Sequence, residues 1–180
     1  MLDAPSNITD LEIFQNSVLI GTDTLGLFTY NPANNDLQYV QLNPRLPEMY
    51  IECIQKVDDN NIWVGTRNGA YHLFRSTWQR SLPNDSATPF QGRTLTKTKH
   101  GALYAIDRDH HLYQRKNNQW LNQGKIELDE SAVGQNQSHQ LIHWKENTFF
   151  YILLKQLVQL TVNAGVKSQL MPLPGEGNVV

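Results

Sequence analysis

Four strand-like cores at near-constant spacing, a second strand after each core, and a chain punctuated by asparagine turns predict an all-β fold. The architecture that fits is a β-propeller of four four-stranded antiparallel blades, read as a segment of a larger propeller. The cores are Val18-Leu19-Ile20-Gly21-Thr22, Ile62-Trp63-Val64-Gly65-Thr66, Leu103-Tyr104-Ala105-Ile106-Asp107 and Phe149-Phe150-Tyr151-Ile152-Leu153, and they start 44, 41 and 46 residues apart. A period of about 40 to 45 residues carrying several strands is that of a propeller blade. The amides do the punctuating: 17 Asn and 15 Gln together equal the charged residues in number. Asparagine tolerates positive φ and bonds nearby backbone, so Asn34-Asn35, Asn60-Asn61, Asn68-Gly69, Asn117-Asn118 and Asn163-Ala164-Gly165 read as turns between short strands.

The first unit reads as strands Ile8–Phe14, Ser17–Gly21, Gly26–Tyr30 and Leu37–Gln41, within a blade over 8–43. The second reads Ile51–Val57, Asn61–Gly65, Ala70–Phe74 and Thr77–Ser81, within 51–82. The third reads Arg93–Thr98, Ala102–Ile106, His111–Arg115 and Gln119–Gln123, within 93–124. The fourth reads Gln140–Lys145, Thr148–Leu153, Gln156–Thr161 and Val166–Met171, within 139–173, so the segment occupies all of 1–180. Strands sandwiched between neighbouring blades are buried on both faces, which accounts for near-continuous apolar runs such as Phe149–Leu154. The glycine of each Gly-Thr pair lets neighbouring backbone approach, its threonine satisfies backbone groups at the strand end, and Trp63 fills the gap between blades.

Composition excludes several function classes. A net charge of −2 gives no electrostatic reason to expect nucleic acid or an anionic membrane. The longest apolar run, Phe149–Leu154, is far short of the roughly 20 residues of a spanning helix. Met1-Leu2-Asp3-Ala4-Pro5 lacks the basic and apolar regions of a signal peptide, which fits an excised piece. The single Cys53 leaves no internal disulfide, and on its apolar-alternating strand it reads as a buried, inert thiol.

The six histidines give no metal site: His110 and His111 are adjacent and point to opposite faces of a strand. His139 and His143 would be brought together by a helix and not by the strand assigned to them, while His72 and His100 stand alone. There is no Gly-x-Ser-x-Gly elbow and no phosphate-cradling glycine loop. The carboxylates Glu127, Asp129 and Glu130 read as a solvated loop, so no catalytic residue and no cofactor is assigned.

What remains is a loop surface. Arg93, Lys97 and Lys99 alternate along one strand and share a face, and Arg67, Arg108 and Lys155 at or beside tight turns extend a basic rim. On a propeller, the turns between second and third strands gather at one end of the channel, with the connections Asn43–Tyr50, Leu82–Gly92 and Glu127–His139 beside them. These turns carry Asp23, Arg67, Asn68, Arg108, Asp109 and His110, together with Leu154-Lys155. Arginine, amide and carboxylate on loops of a rigid scaffold suit a small polar ligand or glycan, and those six residues are the candidate ligand-binding set. Asp23, Asp109 and His110 are also the residues that a rival reading as a propeller lyase or hydrolase would need.

Asp58-Asp59-Asn60-Asn61-Ile62-Trp63-Val64-Gly65-Thr66-Arg67-Asn68-Gly69-Ala70-Tyr71 resembles the repeat of the two-component regulator propeller family of bacteria. That repeat runs from an acidic residue through Trp-Ile/Val-Gly-Thr to Gly-Leu and an aromatic. Ser17–Thr22 with Gly26-Leu27-Phe28 matches with Leu19 in place of tryptophan. In the third unit Ile106-Asp107 replaces Gly-Thr, and in the fourth only the apolar pattern survives. The resemblance implies a periplasmic, extracytoplasmic sensor region without catalysis of its own, of the hybrid two-component or diguanylate cyclase type. Its partners would be downstream signalling domains lying outside this chain; a platform for protein–protein interaction is the alternative. A few hundred Å² of apolar surface left bare on each end blade costs roughly 5–10 kcal/mol per face. Four blades on their own are therefore expected to self-associate through those faces.

Overall fold

The computed structural model describes residues 6–43, 48–74, 76–83, 91–128, 139–153 and 156–171. They form four four-stranded antiparallel sheets, each a meander in chain order, with no helix among the described residues. The first blade is β1 (Ile8–Phe14), β2 (Ser17–Thr22), β3 (Leu27–Asn31) and β4 (Asp36–Val40). The second is β5 (Ile51–Asp58), β6 (Asn61–Thr66), β7 (Gly69–Phe74) and β8 (Thr77–Ser81). The third is β9 (Thr94–Lys97), β10 (Leu103–Ile106), β11 (His111–Lys116) and β12 (Gln119–Lys125). The fourth is β13 (His139–Lys145), β14 (Thr148–Leu153), β15 (Gln156–Val162) and β16 (Val166–Met171). The fold is an all-β propeller whose inner strands pack in sequence, β1 on β5, β5 on β9 and β9 on β13.

Strand alternation sends successive side chains to different neighbours. On β6, Ile62 and Val64 join the core shared with the first blade, while Trp63 enters the core shared with the third. On β10, Leu103 and Ala105 face the second blade, and Tyr104 and Ile106 face the fourth. Among the described residues there are thus three inter-blade cores for four blades. Trp63 lies stacked on His72 at 4.5 Å, meets Trp120 edge-on at 5.5 Å, and carries the Arg115 guanidinium 5.0 Å from its ring. One tryptophan thereby ties two blades through apolar area and cation–π attraction.

The turns follow the asparagines. Asn117 and Asn118 both take positive φ, 50° and 62°, as a two-residue hairpin with both central residues left-handed requires. At the opposite end of the first two blades the Gly-Thr pairs do two separate jobs. Thr22 Oγ1 donates to the Gly26 carbonyl (2.8 Å) and accepts from Leu25 N (3.0 Å), and Thr66 does the same with Gly69 O and Asn68 N. A methyl group at Gly21 would come within 2.7 Å of Ile51 Cγ2. At Gly65 it would strike the Gly92 carbonyl oxygen and approach Cys53 Sγ to 2.6 Å. In the third blade Asp107 takes over the threonine's work, accepting from Asp109 N and His111 N and from the Tyr113 hydroxyl. Ile106, where glycine stood, fills the core shared with the fourth blade.

The two end blades differ from the expectation of burial on both faces. In β14, Phe149, Tyr151 and Leu153 are buried, but Ile152 is 36% exposed, because among the described residues no further blade covers that side. On the first blade the uncovered face carries two cross-strand apolar rows, Leu11–Ile20–Phe28–Tyr39 and Ile13–Val18–Tyr30–Leu37. Ile13 there is 66% exposed, and on the fourth blade Trp144 is 56% exposed. Neighbouring inner strands are also tied by side chains. Asp10 accepts from Ile54 N (2.7 Å), Glu12 from Lys56 N (3.2 Å) and Thr94 from Leu141 N (3.2 Å).

Gly65→Ala is expected to lower stability by about 1–3 kcal/mol, since it overpacks a backbone contact that cannot yield, and urea unfolding measures this. The bare end faces predict head-to-tail self-association of the 180-residue chain. Sedimentation velocity is expected to show mass rising with concentration, and Ile13→Glu with Trp144→Glu to return it to monomer.

Candidate functional site

The inner strands of all four blades begin at the same end of the assembly, and the turns after β2, β6 and β10 lie beside their starts. Together they line one concave cavity of about 1200 Å³. Its wall takes Asp10 and Asp23 from the first blade, Glu52 and Arg67 from the second, Arg93 and Arg108 from the third, and His139 and His143 from the fourth.

Asp23 is fixed by Asn7, whose backbone N (2.9 Å) and Nδ2 (2.8 Å) both donate to its carboxylate, and by Ser6 Oγ at 3.2 Å. Those donors, Asn7 foremost, hold its carboxyl below the usual aspartate value. Arg67 Nε donates to Glu52 Oε1 at 3.2 Å, and its guanidinium lies 4.0 Å over the Tyr50 ring. Asp10 also faces the cavity, but its carboxylate caps the β5 backbone, and burial raises its pKa.

Arg93 immediately precedes β9 and reaches across to the fourth blade, where Nη1 donates to His139 Nε2. His139 Nδ1 lies 2.6 Å from the Tyr151 hydroxyl, and His110 Nδ1 lies 3.1 Å from the same oxygen. The donors can be assigned because arginine only donates. His139 Nε2 therefore accepts, its proton sits on Nδ1 and goes to Tyr151, and Tyr151 donates onward to His110. Burial, then the Arg93 charge, then His110 push His139 down to about 4. Burial and Arg93 lower His110 as well, and burial raises the Tyr151 phenol. Arg93 Nε is buried without an acceptor among the described residues.

Of the six candidate ligand-binding residues, Asp23, Arg67 and Arg108 lie on the cavity wall, and Arg93 and Lys97 of the basic rim lie there too. Asn68, Asp109 and His110 are not part of that wall. Asn68 braces the connection before β5, donating from Nδ2 to the buried Glu48 (3.0 Å) while its carbonyl accepts from Arg80 Nε (2.7 Å). Asp109 is exposed in the β10–β11 turn, with its N–H on Asp107. His110 is buried at φ 64° against Tyr151. Lys97 donates to the Val57 carbonyl (2.6 Å), and Lys99 lies beyond the end of β9. Leu154, Lys155, Asp129 and Glu130 lie outside the described residues, as do 44–47, 84–90 and 131–138 of the long connections. Tyr50 and His139 end two of the connections expected at this end but are absent from the candidate set, and Glu52, just inside an inner strand, carries no turn signal at all. Among the described residues no three His, Cys, Asp or Glu side chains are grouped to hold a metal ion.

His139, His110 and His72 all sit below the ordinary histidine value, chiefly through burial. In the unfolded chain they titrate near 6.5, so between that pH and about 4 the unfolded state binds more protons. Stability is expected to fall as pH drops through this window, and His139→Gln to make the fall shallower, read as urea midpoints from pH 7 to 4.

No protein-family model and no curated protein matches the chain. Solved structures do. The extracellular domain described as that of the hybrid two component system BT4673 from Bacteroides thetaiotaomicron superposes with a TM-score of 0.73 at 19% identity, covering 97% of this chain and 23% of that one. The corresponding domain of BT3049 from the same organism gives 0.62 at 17% identity, over 94% of this chain and 24% of that one. An ancestral GH74 enzyme, AFV00434, gives 0.70 at 15% identity, over 96% and 25%. The chain spans about a quarter of the length of these structures. Its described residues have the β-propeller fold of the extracellular domains of Bacteroides hybrid two-component systems.

Proposed function

We propose that this chain is the ligand-binding part of an extracytoplasmic sensor propeller, without catalysis of its own, whose signalling output lies in domains outside it. The observation that carries this reading is the cavity: its wall is polar and draws on all four inner strands, so an occupant that fills it touches every blade. A small polar ligand or glycan held there favours one packing of the blades over another. It thereby changes how the propeller seats against the next domain, by differential affinity for two states. The likeness to extracellular domains of two-component systems supports both the sensory role and the location. Among the described residues no helix is long and apolar enough to cross a membrane.

The non-catalytic part of the reading rests on how the wall carboxylates are used. Asp10 caps the β5 backbone, Asp23 is held by Asn7, and Glu52 meets Arg67. Glycoside hydrolysis of the common kind uses a pair of carboxyl groups flanking the scissile bond, and these three are engaged with the protein itself. The bare apolar faces of the end blades favour a second reading, an assembly platform, which predicts partner capture and no small-molecule binding.

Titration calorimetry against a panel of oligosaccharides and polar metabolites tests the sensor reading. A saturable heat from at least one of them, weakened roughly tenfold or more by Arg67→Ala, is expected. A flat response to the whole panel, with stable capture of a protein partner, favours the platform instead.

A further inference from the structure

The charges on the cavity wall do not balance locally. Glu52 meets Arg67 at 3.2 Å, Lys97 is turned to the Val57 carbonyl, and Asp10 and Asp23 are taken up by backbone and amide donors. Two cations are left over. Among the described residues neither Arg93 nor Arg108 has a carboxylate within ion-pair reach. Arg108 is exposed on the β10–β11 turn at the cavity wall. Arg93 is half-buried; one Nη donates to the neutral imidazole of His139, and Nε faces no acceptor. A guanidinium taken partly out of water without a counter-charge is costly, and an oxyanion in the cavity relieves that cost by accepting from its Nη groups. The same wall offers the half-exposed Tyr50 ring, the amide oxygens of Asn7 and Gln55, whose nitrogens donate to Asp23 and the Lys56 carbonyl, and the Gln140 amide for hydroxyl groups. A ring of hydroxyls bearing one carboxylate matches this set, whereas a neutral saccharide leaves both arginines unanswered.

We propose that the occupant of the cavity is an acidic saccharide whose uronate carboxylate sits on Arg93 and Arg108. The assignment rests on the sensor reading above and narrows it to anionic ligands. His139 serves as the positioning residue: its acceptor nitrogen holds Arg93 at the wall, and Tyr151 fixes that tautomer from behind.

The test is calorimetry of the full chain with trigalacturonic acid and with neutral galactotriose, in low and in physiological salt. Trigalacturonic acid is expected to bind at least roughly tenfold tighter than galactotriose and to weaken as salt rises. Arg108→Gln, at an exposed position, and Arg93→Gln, both checked for an unchanged unfolding midpoint, are each expected to remove most of that preference. Galactotriose binding as well as trigalacturonic acid, or a preference for the acid that survives both substitutions, overturns the acidic-ligand assignment and leaves the sensor reading standing. If neither trisaccharide binds, while the wider panel of neutral ligands yields a binder, the assignment alone falls. If nothing in the panel binds, both fall.

Discussion

Everything in this molecule depends on sheets that cannot be buried one at a time. A single four-stranded blade has two apolar faces and no interior, so each must lend its neighbour a cover. The lending is close. Gly21 and Gly65 are places where one blade's backbone meets Ile51 or Gly92 of the next with no room for a methyl group. The inner strands are tied further by Asp10, Glu12 and Thr94, whose side chains accept from main-chain N–H groups of the following blade. Such bonds fix where one blade stands along the next, a register that apolar packing alone leaves loose. The cavity inherits its geometry from this, because its wall is the row of inner-strand starts held in step.

The repeat was legible because every blade must solve the same problem with the same residues. Ile62 and Trp63 announce a strand with two different neighbours, and Asn117-Asn118 announces a hairpin that only positive φ closes. Legibility failed where a different residue does the same work. Asp107 closes the third blade's turn as Thr22 and Thr66 close theirs, so the loss of Gly-Thr weakened the motif without weakening the fold. The run Phe149–Leu154 looked like a strand covered on both sides, since composition is blind to whether a further neighbour exists.

The site was legible only in part, for a related reason. Asp23, Arg67 and Arg108 sit in turns, and turn position in sequence translates directly into position around the channel. His110 sits in such a turn as well, yet the Tyr151 hydroxyl of the next blade draws it inward. That contact spans 41 residues and has no local signature. Arg93 reads as part of a basic rim, but its partner His139 stands at another inner-strand start that looks like an ordinary strand end until two blades are laid side by side.

Three inter-blade cores shared among four sheets also set a mechanical gradient along the chain. The second and third blades rest on two cores each, while the first and fourth rest on one. Opening the molecule is therefore a matter of peeling from the outside, with the backbone amides around Trp63 and Ala105 the last to exchange with solvent and those of the outer sheets the first. Arg93 stands on one of the sheltered sheets and His139 on a peeling one, so their hydrogen bond crosses the seam where that gradient is steepest.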